Sequence, residues 1–578
     1  MKIFFRFFKQ YPKESILAPL FKLLEACFDL LVPMVVALII DQGIGADDRS
    51  LIIKMTLVLV LLAVVGLTCA LCAQYFAAKA AVGTAARLRH ELFAHMQSFT
   101  YAQTDRMGTS SMITRITSDI NQLQSGINMT LRLFLRSPII VLGAMVMAFT
   151  IHPRLALIFA ATIPLLSLVV FGVMLGGIPL FKKVQSRLDR VTGVTRENLA
   201  GVRVIRAFCK EEEEIATFDQ VNRQQTALQN KAGILSSLMN PLTYVIVNLA
   251  VILLIDQGAI TVNAGGLTQG ELVALVNYMG QILVELIKLA NTIFLVTKAV
   301  ACGNRIGAVL ETPAGTDILA DNHFPAQAAD ESAAVTFENV TLTYHKGSHP
   351  SLMGIDFSVA HGQTVGIIGG TGSGKTSLVN LIPRFYDATE GRVLVNGKDV
   401  RTYDPALLRA HIRVVPQKAE LFRGTIRSNL CWGKANASDE ELWTALELAQ
   451  AADFVRSKEG QLDAPVEQKG RNFSGGQKQR LTIARALVGN PEILILDDSA
   501  SALDFVTDAR LRSALKRLPH TPTTFIISQR TSSIRHADLI VVMEDGVVVG
   551  AGTHDELLQT CDTYREIHMS QFKGGEDA

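Results

Sequence analysis

Six apolar runs, each long enough to cross a lipid bilayer as a helix, dictate what this chain can fold into. They lie at roughly 15–40, 51–78, 129–151, 154–178, 234–258 and 269–299, and a bilayer core takes ~20 apolar residues in helix. Hydrocarbon offers no partner for backbone N–H and C=O groups, so only helices or closed barrels span it. Uninterrupted runs of this length select helices. The first run is too long for a signal peptide and lacks a small-residue cleavage site, so it is expected to stay as an anchored span.

Lysines and arginines orient the bundle. Lys2, Arg6, Lys9 and Lys13 precede the first span, whereas the connection "DQGIGADDRS" is net acidic and "GAITVNAGGLTQG" carries no charge. Lys79, Arg87, Arg89, Arg106 and Arg115 lie between spans two and three, and Lys182 through Lys210 supply eight more between spans four and five. Both termini and both long connections are therefore expected in the cytoplasm. The connections, near 79–128 and 180–233, keep helix-forming composition, and ~25 residues of helix would carry them roughly 35–40 Å from the membrane. Gly108 breaks the first near its tip, and "RAFCKEEEE" marks the second. A charge run of this kind is commonly a solvated helix face.

Lys22, Glu25, Glu285 and Lys288 fall within the first and last spans. Charges at such depth usually face a bundle interior or a wet cavity, and those near an end can lie at the interface. Both placements stay open for these four. Cys69 and Cys72 form a C-x-x-C inside an apolar helix, where ordinary packing is the better account than metal or redox chemistry.

Residues 311–334, rich in Ala, Asp and Pro, read as a linker between a transmembrane domain (1–310) and a soluble domain (335–578). The latter alternates apolar strands with helical segments, the pattern of an α/β fold. In it, "VGIIGGTGSGKTS" supplies Gly369-x-x-x-x-Gly374-Lys375-Thr376 after a strand. Glycines let successive N–H groups of Gly370, Thr371, Gly372 and Ser373 turn toward phosphates. Lys375 reaches the terminal phosphates, and the Thr376 hydroxyl, followed by Ser377, can bind Mg²⁺. The run "ILILDD" then places Asp497 at a strand end, where such folds hold Mg²⁺ through water. The domain is expected to bind a nucleoside triphosphate with Mg²⁺. The net charge of +2 suggests no nucleic-acid partner.

"NFSGGQKQR" stands shortly before that strand. Phosphate loop, S-G-G-Q and strand-end Asp, in this order after six spans, resemble the ATP-binding cassette (ABC) family over essentially the whole chain, as in half-size exporters of the type IV fold. The resemblance implies that Tyr344 stacks on adenine and that Gln417 senses Mg²⁺ and the attacking water. It implies that Ser474, Gly475, Gly476 and Gln477 embrace the γ-phosphate of ATP held by an opposite subunit, and that Ser501 to Asp504 communicate across the dimer. Phe473 replaces a usual leucine and keeps an apolar plug. Hairpin tips near Arg106–Arg115 and Arg206–Glu213 are expected to dock on cassettes.

Two positions depart from the family. Asp498 stands where a glutamate orients water, and Gln529 where a histidine contacts the γ-phosphate. An Asp carboxylate sits about 1.5 Å, one C–C bond, closer to its backbone, and a displacement of about 1 Å can cost on the order of 10²-fold in rate. Glutamine cannot ionise or relay a proton as imidazole can. The loop of this chain is thus expected to bind ATP and hydrolyse it poorly, while its signature completes a competent site on a second subunit. The expected function is one half of a heterodimeric exporter of multidrug type in the cell membrane, moving lipophilic or amphiphilic small molecules by alternating access. A slow homodimer, a siderophore-type importer and an ATP-gated channel or regulatory subunit are the rivals. No leader-processing peptidase domain is expected.

Overall fold

The computed structural model describes residues 11–313, 315, 333–344, 349–499, 503–518 and 520–572. Lys2, Arg6, Lys9, Ser501 and most of the 311–334 linker lie outside them. The Cα positions divide into two compact units, Met1–Gln97 with Thr109–Pro313, and Ser98–Gly108 with Ala314–Ala578. The short stretch around Tyr101, from the tip of the first long connection, therefore packs with the second unit.

Among the described residues of the first unit six helices are long and apolar enough to span a membrane: Pro12–Ile44, Arg49–Gln97, Thr109–Ile151, Pro153–Ala207, Glu211–Asn263 and Gln269–Leu310. The longest has 55 residues, about 80 Å at 1.5 Å per residue, so it runs far past any bilayer. Local chemistry sets several ends. Thr268 and Glu271 form a reciprocal capping box that starts the last helix. Pro153 occupies the first turn of the fourth, where its missing N–H is harmless. The fourth and fifth helices reverse at Phe208–Lys210, with Cys209 at φ +51°. The Asp41 carboxylate accepts from Thr268 Oγ1 at 2.5 Å and Gly270 N at 2.7 Å, joining the first and last helices at one end. Gly270 is required there, because a Cβ would sit 2.4 Å from Ala37 O.

The charges within the spans find one another. Arg136 donates to Glu285 at 2.6 Å and to Asp29 at 2.8 Å. Glu285, 3% exposed, also accepts from Ser137 at 2.7 Å and Lys288 at 2.9 Å. Lys22 pairs with Glu25 at 2.6 Å. The hub is Arg136, which hydropathy alone did not single out, because the apolar residues of the run 129–151 around it outweigh its one charge. Removing one member of a buried pair leaves the other uncompensated, at roughly 3–5 kcal/mol. Arg136→Met should therefore lower the midpoint of thermal unfolding in detergent by several degrees, and more than Lys288→Met. Equal midpoints for the two variants would contradict that assignment.

The second unit holds two principal sheets. The strands are β1 Ala333–Leu342, β2 Leu352–Ala360, β3 Thr364–Gly369, β4 Glu390–Val395, β5 Lys398–Asp399, β6 Ile412–Val415, β7 Gly424–Thr425, β8 Pro465–Val466, β9 Ile493–Asp497, β10 Thr523–Ile527, β11 Leu539–Glu544 and β12 Val547–Gly552. A four-stranded antiparallel sheet has the order β2-β1-β4-β5, and a six-stranded sheet the order β12-β11-β3-β10-β9-β6. In the latter all pairs are parallel except β11–β12.

Strands with helices on both faces must be apolar on both, and "ILILD" is buried at every position. Ile493 and Ile495 pack with Val365, Ile367 and Phe525 in one core; Leu494 and Leu496 pack with Ile540 and Val542 in another. Period-2 alternation thus feeds two cores at once. The C-terminal ends of β3, β9 and β10 then come out side by side, in the place where parallel sheets carry their sites.

Candidate functional site

The turn after β3 is built by backbone geometry that excludes side chains. Gly369 (φ +157°) lies so close to β11 that a Cβ would meet Met543 O at 2.0 Å. Gly374 has φ +96°, with Ser351 O at 2.8 Å from its hypothetical Cβ. Gly370 and Gly372, by contrast, have nothing within 4 Å of theirs. One side of the loop is therefore packed against the sheet and the other faces an open cleft. That cleft, of about 500 Å³, is lined by Gly372, Gly374, Lys375, Thr376 and Ser377, and by Ser351 and Asp545.

Lys375 begins the helix Lys375–Leu381. Its Nζ donates to Gly369 O at 2.9 Å, Gly370 O at 2.6 Å and Ser373 Oγ at 3.3 Å, so the ammonium curls onto its own loop. Burial pulls its pKa below the usual lysine value, opposed by the carboxylates of Asp498 and Asp497. Thr376 Oγ1 donates to both oxygens of Asp497, at 3.0 and 3.1 Å. Asp497, 6% exposed at the end of β9, has its pKa pushed up, mainly by burial, with the Thr376 hydroxyl acting the other way.

Asp498 follows in the left-handed region, φ +45°, and its N–H donates to Ile527 O on β10 at 3.0 Å. Its Oδ2 accepts from Gln417 Nε2 at 3.3 Å. Two residues the sequence joined only by family resemblance are thus brought into contact across the ends of β6 and β9. Gln529 lies two residues past β10 with its side chain exposed. Its carbonyl accepts from Gln571 Nε2 at 2.7 Å, while Gln571 Oε1 accepts from Thr531 N at 2.9 Å. Gln571 was not foreseen, since a glutamine in a C-terminal helix carries no motif. Tyr344, half-exposed, donates to Ser377 Oγ at 2.8 Å and so leans over the start of the loop helix.

The S-G-G-Q group stands apart from this constellation. Ser474 Oγ accepts from Gln477 N at 3.3 Å, and Gln477 Oε1 accepts from Ser474 N at 3.0 Å, a capping box at the head of Gly475–Leu487. A Cβ on Gly475 would meet nothing within 4 Å. Among the described residues nothing explains the glycine there. Asp504 caps the helix Phe505–Leu515, accepting from Thr507 N at 2.7 Å and Thr507 Oγ1 at 3.0 Å. The Thr507 N–H and then its hydroxyl hold the Asp504 carboxyl below the usual range.

Oxygen donors fit a hard divalent ion, and the site supplies them from Thr376, Asp497 and Gln417. Among the described residues no group of three or more His, Cys, Asp or Glu could form an all-protein metal site. A sparse set of this sort suits Mg²⁺, which keeps several waters and phosphate oxygens.

Comparison with known proteins agrees with both halves of the chain. A family profile described as ABC transporter transmembrane region matches residues 15–286, and one described as ABC transporter matches 352–501. An uncharacterized ABC transporter ATP-binding protein of Mycobacterium tuberculosis is 35% identical, covering 97% of each chain. YfiB of Bacillus subtilis, likewise described, is 35% identical over 98% of each. The ATP-dependent lipid A-core flippase of Salmonella typhimurium is 30% identical over 96% of this chain and 95% of its own. A solved bacterial Atm1-family ABC exporter with ATP bound shares the fold, with a TM-score of 0.80, 24% identity and 99% of both chains covered.

Proposed function

The chain belongs to the ABC transporter family, with the exporter fold of six apolar helices followed by an α/β nucleotide-binding domain, and on that premise we propose that it is the slow-hydrolysing subunit of a heterodimeric, ATP-driven exporter of amphiphilic molecules. The observation that carries the reading is the pairing at the strand ends. A short carboxylate, Asp498, is pinned through its N–H to β10 and met by Gln417, beside an amide, Gln529, where an ionisable ring is usual.

In this reading Tyr344 takes the adenine and the N–H groups of Gly370 to Lys375 surround the phosphates. The Lys375 ammonium exchanges its loop carbonyls for phosphate oxygens, which are stronger acceptors. Thr376, Asp497 and Gln417 would hold Mg²⁺. Bound there, the ion would neutralise charge between the β- and γ-phosphates. Asp498 then binds the water without reaching far enough to activate it. Ser474 to Gln477 present a capped helix N-terminus, which favours an anion, to ATP on the opposite subunit. Asp504 lies next to that junction.

ATP binding favours closed cassettes, and the cytoplasmic helices carry the closure to the bundle, turning it from inward- to outward-facing. A nearly complete switch needs ATP to favour the closed state by about 5.5 kcal/mol. A lipophilic substrate agrees with the relative named as a lipid A-core flippase. In the same reading both termini and the cassette lie in the cytoplasm, on the side of the positively charged connections, and the helices lie in the cell membrane. The test is ATP turnover by the chain purified alone and with a second subunit: slow alone and fast together is expected, and brisk turnover alone overturns the reading.

A further inference from the structure

Another cavity, of about 380 Å³, lies wholly within the second unit. It opens between the helix Phe505–Leu515 and the short helix Thr531–Ile534, and Thr364 of β3 with Thr524 and Ile526 of β10 also bound it. None of the residues assigned to nucleotide above lines it. Its size falls in the range of small-molecule sites, roughly 300–1,000 Å³. Two cations reach across the gap and end on neutral carbonyls. Arg512 Nη1 donates to Ser532 O at 3.3 Å, and Lys516 Nζ to His536 O at 3.3 Å. Arg512 Nη2 also meets Asp508 Oδ2 at 3.1 Å, and Ser533 Oγ donates to that same oxygen at 3.2 Å. The Arg512 Nε–H is buried and finds no acceptor among the described residues. A buried donor left alone is uncommon in a folded protein and calls for a partner.

We infer that this cavity is a binding site for a small apolar monocarboxylate, whose carboxylate is taken by Arg512 and Lys516. Ala509, Leu515, Ile526 and Ala537 supply an apolar lining for its hydrocarbon body. The charge argument comes first. Among the described residues no Asp or Glu lines the cavity. Asp508 answers Arg512 from beside it, so the pair of cations keeps one positive charge to spare, which matches a monoanion. Burial first, then Arg535, Arg512 and Lys516, pull the His536 pKa below the usual value. That ring is therefore neutral at neutral pH and adds a polar edge without adding charge. The bonding argument agrees. A carboxylate gives the orphaned Arg512 Nε–H an acceptor, and the guanidinium fork suits its planar oxygens. For Lys516 it replaces a long bond to a carbonyl with a charge-assisted one, roughly twice as strong. A phosphate dianion would bring a second charge that the lining does not match, and burying an unpaired charge is costly.

Calorimetry on the full-length chain in lipid nanodiscs tests the inference, with 2-naphthoate as the ligand and 2-naphthamide as its uncharged counterpart of the same shape. 2-Naphthoate should bind saturably, and the amide at least about tenfold more weakly, the size of one hydrogen bond to a charged group. Lys516→Met should weaken 2-naphthoate about tenfold and leave the amide unchanged. Ala509→Phe, at an exposed position on the rim, should fill the cavity and abolish binding of both. Neither variant should alter ATP affinity or the melting midpoint without ligand. Arg512 is left in place, because its pairing with Asp508 would confound folding with binding. 2-Naphthoate binding that both variants leave intact would put the ligand in the bilayer or among the membrane helices and overturn the assignment. Absence of saturable binding, or equal affinity for the amide, would overturn it too. 2-Naphthyl phosphate should bind more weakly than 2-naphthoate; tighter binding of the phosphate would overturn the monocarboxylate class.

Discussion

Purified without a partner, the chain should hydrolyse ATP slowly, and Asp498→Glu together with Gln529→His should raise turnover on the order of 10²-fold. The size follows from geometry. Asp498 is not free to lean toward the cleft, because its N–H is tied to Ile527 O at 3.0 Å and its backbone sits at φ +45°. The missing methylene therefore leaves the carboxylate about 1.5 Å closer to a tethered backbone. Glutamate supplies the reach from the same backbone, and Gln417 Nε2, now 3.3 Å from Oδ2, can shift with it as a flexible donor. Histidine at 529 supplies an ionisable contact without disturbing the loop, since Gln571 grips the main chain of residues 529 and 531 and not the 529 side chain. If Asp498 and Gln529 limit the rate jointly, Asp498→Glu by itself will do little and only the double change will help. Fast hydrolysis by the unaltered isolated chain would remove the basis for a lopsided pair.

Gly475→Asp should abolish ATP turnover by the two-subunit protein, by at least about 10²-fold, while leaving this chain's folding and its own ATP binding intact. A carboxylate set at this helix start repels the γ-phosphate and holds it away from donors whose individual loss costs a factor of about 10²–10³. The second half of the expectation makes the first informative. A Cβ at Gly475 meets no atom within 4 Å, and its φ is not positive, so neither clash nor strain attends the change. Acidic residues in a first helical turn are even favourable. A melting midpoint equal to that of the unaltered chain, with turnover lost, would place the glycine's purpose outside the chain. Retained turnover would remove Ser474 to Gln477 from any nucleotide site. By contrast, a Cβ at Gly369 would stand 2.0 Å from Met543 O, so substitution there would confound folding with binding.

Much of the site was legible because its parts are local. Spacing alone identifies Gly369 through Thr376, since a backbone cradle needs glycines at set offsets, and "ILILD" reads as a strand because both its faces are apolar. The capping box at Ser474 is equally local. What the motifs did not reveal was how their parts would contact one another. Lys375 bonds back to its own loop, and the Asp498–Gln417 contact spans 81 positions. Gln571 escaped notice altogether, because a glutamine has no meaning until folding sets a main-chain turn against it.

The sequence by itself determined the six spans, the α/β cassette and the phosphate loop. Each of these is fixed by interactions of a segment with its solvent or with its own neighbours: apolar length against bilayer thickness, glycine against steric exclusion. The tertiary structure alone decided which charges meet and where the tip helix packs. Arg136 finds Glu285 across 149 positions, and Asp105 finds Tyr386 across 281. Pairings of that kind have no local signature, because their energy exists only after helix and strand packing has removed the competing water and brought the two groups within hydrogen-bond reach.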